Sequence, residues 1–202
     1  MNSTATPTVS ASERSSLTRL SLGRGVLAIA WALAFAAAHD PLDAVAVILL
    51  VGYPLIDAVS SLIDFRAVPD GPERRVTAVN GVLSAVTAVA LGIAGTTGSA
   101  AAVLGAFGIW AVLSGAAQLA VGLRRRGAVL GKQWPTLISG GLSFLVGATY
   151  VAKAAGESPS LDVLAIYATG GGVFFLAQAA LLAWKAYRPR DRTGLRRRNA
   201  RG

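Results

Sequence analysis

The distribution of positive charge between six apolar runs constrains this chain more than any other feature. If each run crosses a bilayer, all but one of the 19 Lys and Arg residues fall on one side, and the exception is Lys153. Short loops rich in Lys and Arg stay on the cytoplasmic side during membrane insertion. The pattern predicts an all-α, multi-pass protein of the bacterial plasma (inner) membrane, with six transmembrane helices and both termini in the cytoplasm.

The composition favours lipid over nucleic acid as the anionic partner. Hydrophobic residues make up 53% of the chain and charged residues 14%, which is too apolar for an ordinary soluble domain. The net charge of +9 lies beside the apolar runs and in the C-terminal tail, where each basic residue near an anionic headgroup contributes about 1 kcal/mol. The tail lacks the interleaved aromatic residues that stack on bases. We expect membrane lipids as partners at the cytoplasmic loops and tail, no nucleic acid, and leave a homo-oligomer open.

Run length divides the chain into three regions. A helix needs about 20 residues to cross the hydrocarbon core of a bilayer, and each run reaches or nearly reaches that length. Residues 1–19 are rich in Ser and Thr and are predicted to be a disordered tail. Residues 20–187 form the transmembrane domain, and 188–202 form a basic cytoplasmic tail. The predicted spans are 20–38, 42–65, 76–94, 99–123, 134–152 and 161–185.

Short outward connections join the runs into three predicted helical hairpins, and an internal repeat supports this pairing. The repeat also indicates that the first run is a retained span. The alternative for that run is a cleaved signal peptide, because Arg24 precedes an apolar stretch that ends in small residues. The matching segments are Arg24 to Ala28, Asn80 to Ser84 and Gly140 to Ser143, together with Tyr53 to Asp57 and Trp110 to Ser114.

These segments resemble the HdeD-like family of small bacterial membrane proteins, which is built from a short repeat of unknown function. The likeness lies in Arg24 to Ile29, in Tyr53 to Asp57 and in the stretch WPTLISGGLSFLVG from Trp134. This chain has Ala58 where the family often has Gly after the acid, and Gln118 where the family often has an acid. The resemblance implies six spans and an association with acid or envelope stress. It implies no catalytic residues.

Asp57 is the one acid well inside a predicted span, where a carboxylate normally faces a partner or a cavity. Arg24 lies at the same depth when both are counted from the first turn, so we predict an Arg24–Asp57 pair. Its role is either structural, as a contact that fixes one hairpin, or functional, as a proton or ion site. Helical spacing extends a polar stripe from Asp57 along one helix face, with the further members Tyr53, Ser60, Ser61 and Asp64. Pro54 within this span predicts a kink.

The predicted outer face carries the single histidine, His39, beside Asp40 and Asp43. Imidazole titrates near pH 6.5, so these three residues are candidates for a response to external acid. The alternative is a solvated loop. One His with scattered acids does not predict a metal site.

Three adjacent glycines, Gly170 to Gly172, fall in the sixth span and have two interpretations. They either let helices pack closely or mark an unwound segment that lines a substrate site. The sequence contains no nucleophile–base set and no cofactor loop, so we expect no enzyme and no cofactor. The first functional hypothesis is an HdeD-type protein of acid or envelope stress tolerance. The alternative is a small transporter or channel that uses the Asp57 stripe.

Overall fold

The computed structural model describes residues 11–67, 70–124 and 134–187, and every regular element within them is an α-helix. All six helices are long and apolar enough to cross a membrane. The chain is therefore a multi-pass membrane protein, as its hydropathy predicted. The helices are α1 (Ala11–Ala38), α2 (Ala44–Ala67), α3 (Pro72–Thr96), α4 (Ala100–Arg124), α5 (Trp134–Ala154) and α6 (Asp162–Tyr187).

The helices extend beyond several of the predicted spans. α1 begins at Ala11, so residues 11–19 are helical where the sequence predicted disorder. α3 begins at Pro72, because proline at the first helical position lacks only a donor that would be unpaired anyway. Hydropathy marks the membrane-crossing part of a helix, whereas backbone hydrogen bonding continues past it. The predicted tails over 1–10 and 188–202 lie outside the described residues.

The outward surface of the bundle is apolar, as contact with lipid requires. On α3, side chains at helical spacing form a stripe in which each is 60–65% exposed. Soluble monomers rarely expose a continuous apolar surface of this kind. The stripe consists of Val79, Val82, Val86, Val89 and Ile93.

The helices form a ring in which each contacts the next and α6 closes on α1. The largest interfaces are α4/α5, α1/α6 and α2/α3, whereas α1/α2 and α5/α6 touch little and α3/α4 is intermediate. The predicted hairpin partners are therefore joined by short turns, but the most extensive packing lies between the hairpins. We call the end with connections 39–43, 97–99 and 155–161 the turn end, and the opposite end, where α1 begins and α6 ends, the terminal end.

Glycine explains why those three interfaces are close. A Cβ at Gly115 of α4 would lie 2.5 Å from the backbone nitrogen of Phe144 and 2.6 Å from the carbonyl oxygen of Gly140 on α5. A Cβ at Gly25 of α1 would lie 3.0 Å from the carbonyl oxygen of Gly172 on α6. Small residues let helix backbones approach in lipid, where van der Waals contact drives association.

The two ends of the bundle differ in packing. The half nearer the turn end is a solid core in which Leu50, Phe107 and Leu164 are fully buried, as are Phe35 and Leu91. The half nearer the terminal end encloses a cavity. Pro54 is buried within a continuous α2.

Candidate functional site

The cavity occupies about 450 Å³ and receives side chains from all six helices. Its volume is within the range of small-molecule sites, about 300–1,000 Å³. Most of its wall is aromatic or aliphatic, and a smaller number of polar and charged side chains face it. The polar and charged lining residues other than tyrosine and tryptophan are Arg24, Asp57, Ser60, Asn80, Ser114, Gln118, Ser139 and Ser143.

An aromatic cluster closes the cavity toward the turn end. The ring of Tyr53 lies 4.6 Å from Trp31 and 5.9 Å from both Phe107 and Trp110, measured between centroids, and Phe107 lies 5.6 Å from Tyr167. Edge and tilted contacts at these distances are the favourable geometry for aromatic pairs. Together with the core beyond it, the cluster separates the cavity from the turn end.

The indole N–H groups of this cluster bond to the protein rather than to the cavity. Trp31 Nε1 donates to the carbonyl oxygen of Leu49 over 2.8 Å, which links α1 to α2. Trp110 Nε1 donates to Ser84 Oγ over 2.9 Å, which links α4 to α3. These bonds fix both rings, so what the two indoles offer the cavity is apolar surface.

The Asp57 carboxylate is held from α3. Asp57 Oδ2 accepts a 2.8 Å bond from Asn80 Nδ2 and a 2.7 Å bond from Ser84 Oγ. Because Ser84 Oγ also accepts from Trp110, the chain Trp110–Ser84–Asp57 runs through three helices. Asn80 and Ser84 are four residues apart, so they lie one above the other on the α3 face that meets α2.

The predicted Arg24–Asp57 ion pair is wrong. The guanidinium of Arg24 instead lies over the ring of Phe175, 5.9 Å from its centroid. No ion pair joins Arg24 to Asp57 or to another described side chain, although both residues line the same cavity. The prediction failed because equal depth does not fix the direction in which a side chain points. α2 packs closely on α3 and only loosely on α1, so Asp57 meets Asn80 and Ser84.

The predicted polar stripe divides into two faces. Tyr53, Asp57 and Ser60 line the cavity. Ser61 is buried against α3, where its Oγ accepts a 3.0 Å bond from Asn80 Nδ2. The side chain of Asp64 lies outside the described residues. A stripe counted along one helix therefore contains both a cavity group and an interface group.

Further polar groups of the cavity were not singled out from the sequence. Ser139 Oγ donates to Gln118 Oε1 over 2.9 Å, and the hydroxyls of Ser143 and Tyr167 lie 2.8 Å apart. The Oγ of Ser114 is buried and has no hydrogen-bond partner in the described part of the chain. Ser and Gln are common between membrane helices, so composition alone gave no signal. The internal repeat did give one, because it aligns Ser114 with Asp57.

The α6 glycines divide between the two predicted roles, close helix packing and lining a site. The helix continues through Gly170 to Gly172 without a break. Gly172 packs against α1, where a Cβ would lie 2.7 Å from Ile29. Gly170 and Gly171 line the cavity, and a Cβ at either would meet nothing within 4 Å. The unwound segment is absent from α6, but two of the glycines do widen the site.

The predicted acid-responsive group is rearranged at the turn end. His39 Nε2 lies 2.8 Å from Asp162 Oδ1 of α6, and its Nδ1 lies 3.1 Å from the carbonyl oxygens of Phe35 and Ala36. Asp43 caps α2 by accepting from the backbone N–H groups of Val45 and Ala46, the role expected of Asp at a helix start. Asp40 is exposed. The partner of His39 is therefore Asp162 and not its sequence neighbours.

Among the described residues, no group of three or more His, Cys, Asp or Glu side chains is placed to hold a metal ion. Comparison with known protein families, with curated proteins and with solved structures gives no match to this chain. The cavity is therefore interpreted from its own geometry and chemistry.

Proposed function

We propose that this chain is a small transporter or channel of the bacterial plasma membrane, with the central cavity as its solute site. The observation that carries the proposal is that a cavity of about 450 Å³ reaches Asp57, a carboxylate within a span. A carboxylate whose only role was to fix the packing of helices would need no cavity beside it. Polar groups facing a cavity at this depth are costly, and they are useful when a solute or water occupies it.

The proposed orientation places both termini, and hence the terminal end, in the cytoplasm. The support is the charge of the connections, since the basic segments all fall at that end and Lys153 alone falls near the other. In this orientation the cavity lies in the cytoplasmic half of the bundle. The aromatic cluster and the core beyond it then form the barrier toward the outside.

We further propose that the bundle consists of three copies of a two-helix unit. One glycine in each matching segment supports the repeat. A Cβ at Gly25, Gly81 or Gly140 would lie 3.0, 3.8 or 2.9 Å from a carbonyl oxygen of the preceding helix in the ring, those of Gly172, Ala58 and Gly115, respectively. Corresponding side chains support it as well. Tyr53, Trp110 and Tyr167 follow one another at intervals of 57 residues and all line the cavity. An HdeD-like repeat accounts for these relations.

The proposed action is non-enzymatic. The residues that line the cavity include no His, Cys or Lys, and its carboxylate already accepts two hydrogen bonds. General acid–base catalysis most often uses a histidine, and nucleophilic catalysis uses a nucleophile beside a general base. Binding and passage of a solute require neither.

A second candidate function is tolerance of acid or envelope stress, as the HdeD-like resemblance implies. One observation favours it: His39 joins α1 to Asp162 of α6 at the end proposed to face outside. This role is compatible with transport.

Flux through reconstituted protein tests the main proposal. Proteoliposomes would be assayed for uptake of labelled small solutes, namely amino acids, carboxylates and amines. Ser114→Phe places a ring in the cavity and should reduce uptake to the level of protein-free liposomes. Ala116→Phe on the same helix is the matched control, because Ala116 is exposed and does not line the cavity. If wild-type protein moves no solute faster than protein-free liposomes, the proposal is wrong.

A further inference from the structure

We infer that the solute of the cavity is a zwitterion, with its anionic group on Arg24 and its cationic group on Asp57. The inference rests on the proposed solute site and specifies the chemical class that the site takes. Three observations carry it. Among the described residues, the guanidinium has no ion-pair partner and one carboxylate oxygen accepts no hydrogen bond, and both groups share a mostly apolar wall.

Arg24 is the anion-binding group. Its side chain is exposed at the cavity, and its contact with Phe175 leaves the N–H donors of the guanidinium available. No described carboxylate neutralises it. A planar guanidinium binds carboxylate or phosphate through two parallel hydrogen bonds. The ring of Phe175 beneath it restricts the orientations in which this pair can form.

Asp57 is the cation-binding group. Asn80 and Ser84 both donate to Oδ2, while Oδ1 receives no hydrogen bond from the part of the chain that the structure describes. The two donors fix the orientation of the carboxylate. The free oxygen belongs to a residue that lines the cavity. An ammonium group on the solute would give this carboxylate the counter-charge that α1 does not supply.

The pairing of one cation with one anion decides between classes of solute. A simple anion would neutralise Arg24 and leave Asp57 unpaired, and a simple amine would do the reverse. An unpaired charge in a desolvated site is costly. A zwitterion neutralises both charges at once. The buried Ser114 Oγ, which has no partner among the described residues, offers it a further hydrogen bond.

The mostly apolar lining of the cavity indicates that the zwitterion carries an apolar group beside its two charges. Leu142 of α5 and Ile166 of α6 line the cavity although they are 54% and 68% exposed, so the site borders the outer surface where α5 and α6 touch little. The same chemistry therefore has two sources, a free amino acid or the headgroup of a zwitterionic lipid. Both present an ammonium group beside an anionic group.

A set of matched probes tests the inference on the purified full-length protein in a neutral detergent. Leucine carries both charges, 4-methylpentanoate lacks only the ammonium group, and 3-methylbutylamine lacks only the carboxylate. We expect calorimetry to show leucine binding at least about tenfold tighter than either probe, since a hydrogen bond to a charged group contributes about 1.5–3 kcal/mol. Arg24→Gln should remove the tighter binding of leucine relative to 3-methylbutylamine. Asp57→Asn should remove the tighter binding of leucine relative to 4-methylpentanoate.

Arg66→Gln is the control, because Arg66 is exposed on α2 and does not line the cavity. If Asp57→Asn fails to fold, Arg24→Gln still tests the inference, since Arg24 makes no ion pair within the part of the chain that the structure describes. To test a lipid as the source, the protein is released from nanodiscs of phosphatidylethanolamine or phosphatidylglycerol, and native mass spectrometry measures which lipid stays bound. If only phosphatidylethanolamine stays bound, and if Arg24→Gln and Asp57→Asn each reduce its retention, the zwitterion is a lipid headgroup.

Equal binding of leucine and 4-methylpentanoate, unaffected by Asp57→Asn, would overturn the zwitterion and leave a solute site for anions. Equal binding of leucine and 3-methylbutylamine would also overturn the zwitterion and would leave a solute site for cations. No binding by any probe or lipid, together with measurable flux of another solute class, would overturn the zwitterion alone. No binding and no flux would instead contradict the proposed function.

Discussion

Asn80 Nδ2 donates to Asp57 Oδ2 over 2.8 Å and to Ser61 Oγ over 3.0 Å, so one amide of α3 satisfies two polar groups of α2. Asn80→Ala removes both bonds and leaves Ser84 as the remaining donor to the carboxylate. A polar group that loses its partner inside a protein costs about 1–3 kcal/mol. We expect thermal or denaturant unfolding in detergent to show a loss of that size.

The control for this variant is Thr149→Ala. Thr149 is exposed, and its hydroxyl bonds to the carbonyl oxygen of Val146 within its own helix. Its removal breaks no link between helices, so its effect on stability should be within about 0.5 kcal/mol. If the two variants were equally stable, the Asn80 bonds would not hold α3 to α2.

The backbone approach of α4 and α5 gives a second prediction. Gly115→Ala would place a methyl group 2.5 Å from the backbone nitrogen of Phe144 and 2.6 Å from the carbonyl oxygen of Gly140. Neither backbone atom can move away without separating the helices. We expect a destabilisation of about 1–3 kcal/mol, typical of overpacking. The measurement is the unfolding midpoint of the purified protein in detergent.

Gly141→Ala is the matched comparison, because a Cβ at Gly141 meets nothing within 4 Å. In an open helical position, alanine is favoured over glycine by up to about 1 kcal/mol. Gly141→Ala should therefore leave stability unchanged or raise it slightly. A loss equal to that of Gly115→Ala would show that close approach of the helix backbones does not explain the effect at Gly115.

The sequence predicted the helices well because a single physical requirement controls them. Each backbone group in lipid must bond within its own helix, so length and hydropathy sufficed to place six spans. α4 runs from Ala100 to Arg124, one residue displaced from the prediction of 99–123. The larger error at Ala11 lies where the chain leaves the apolar region and hydropathy no longer applies.

The partners of the polar groups were harder to predict because they depend on rotation about the helix axis. Counting residues placed Arg24 and Asp57 at one depth, and both do line one cavity. Their contacts depend on which interface is closest, and glycine decides that. The offset pattern of Gly25, Gly81 and Gly140 contained this information, since each marks a face that packs against the preceding helix in the ring. The predicted pairing followed the short turns and not these glycines, so the closest helix interfaces were not predicted.

The membrane orientation gives a third prediction. A reporter that is active only in the periplasm should be inactive when fused after Arg126 and active when fused after Glu157, because basic loops are retained in the cytoplasm. The two sites flank α5, a candidate span in its central part from Leu137 to Ala154. Activity after Arg126 with none after Glu157 would reverse the orientation and place the cavity toward the outside.

The contact between His39 and Asp162 gives a fourth prediction, a loss of stability when the contact is removed. His39 Nδ1 faces the carbonyl oxygens of Phe35 and Ala36, and Nε2 faces the carboxylate of Asp162. The contact therefore joins the end of α1 to the start of α6. The remaining nearby acids do not compete, since Asp43 caps α2 and Asp40 is exposed.

Asp162→Asn replaces the carboxylate that faces His39 with a neutral amide, so this variant should unfold at a lower temperature than the wild-type protein in detergent. Asp40→Asn should leave the unfolding temperature unchanged, because Asp40 is exposed and is not the partner of His39. Equal unfolding temperatures for all three proteins would show that the Asp162 carboxylate does not stabilise the contact between α1 and α6.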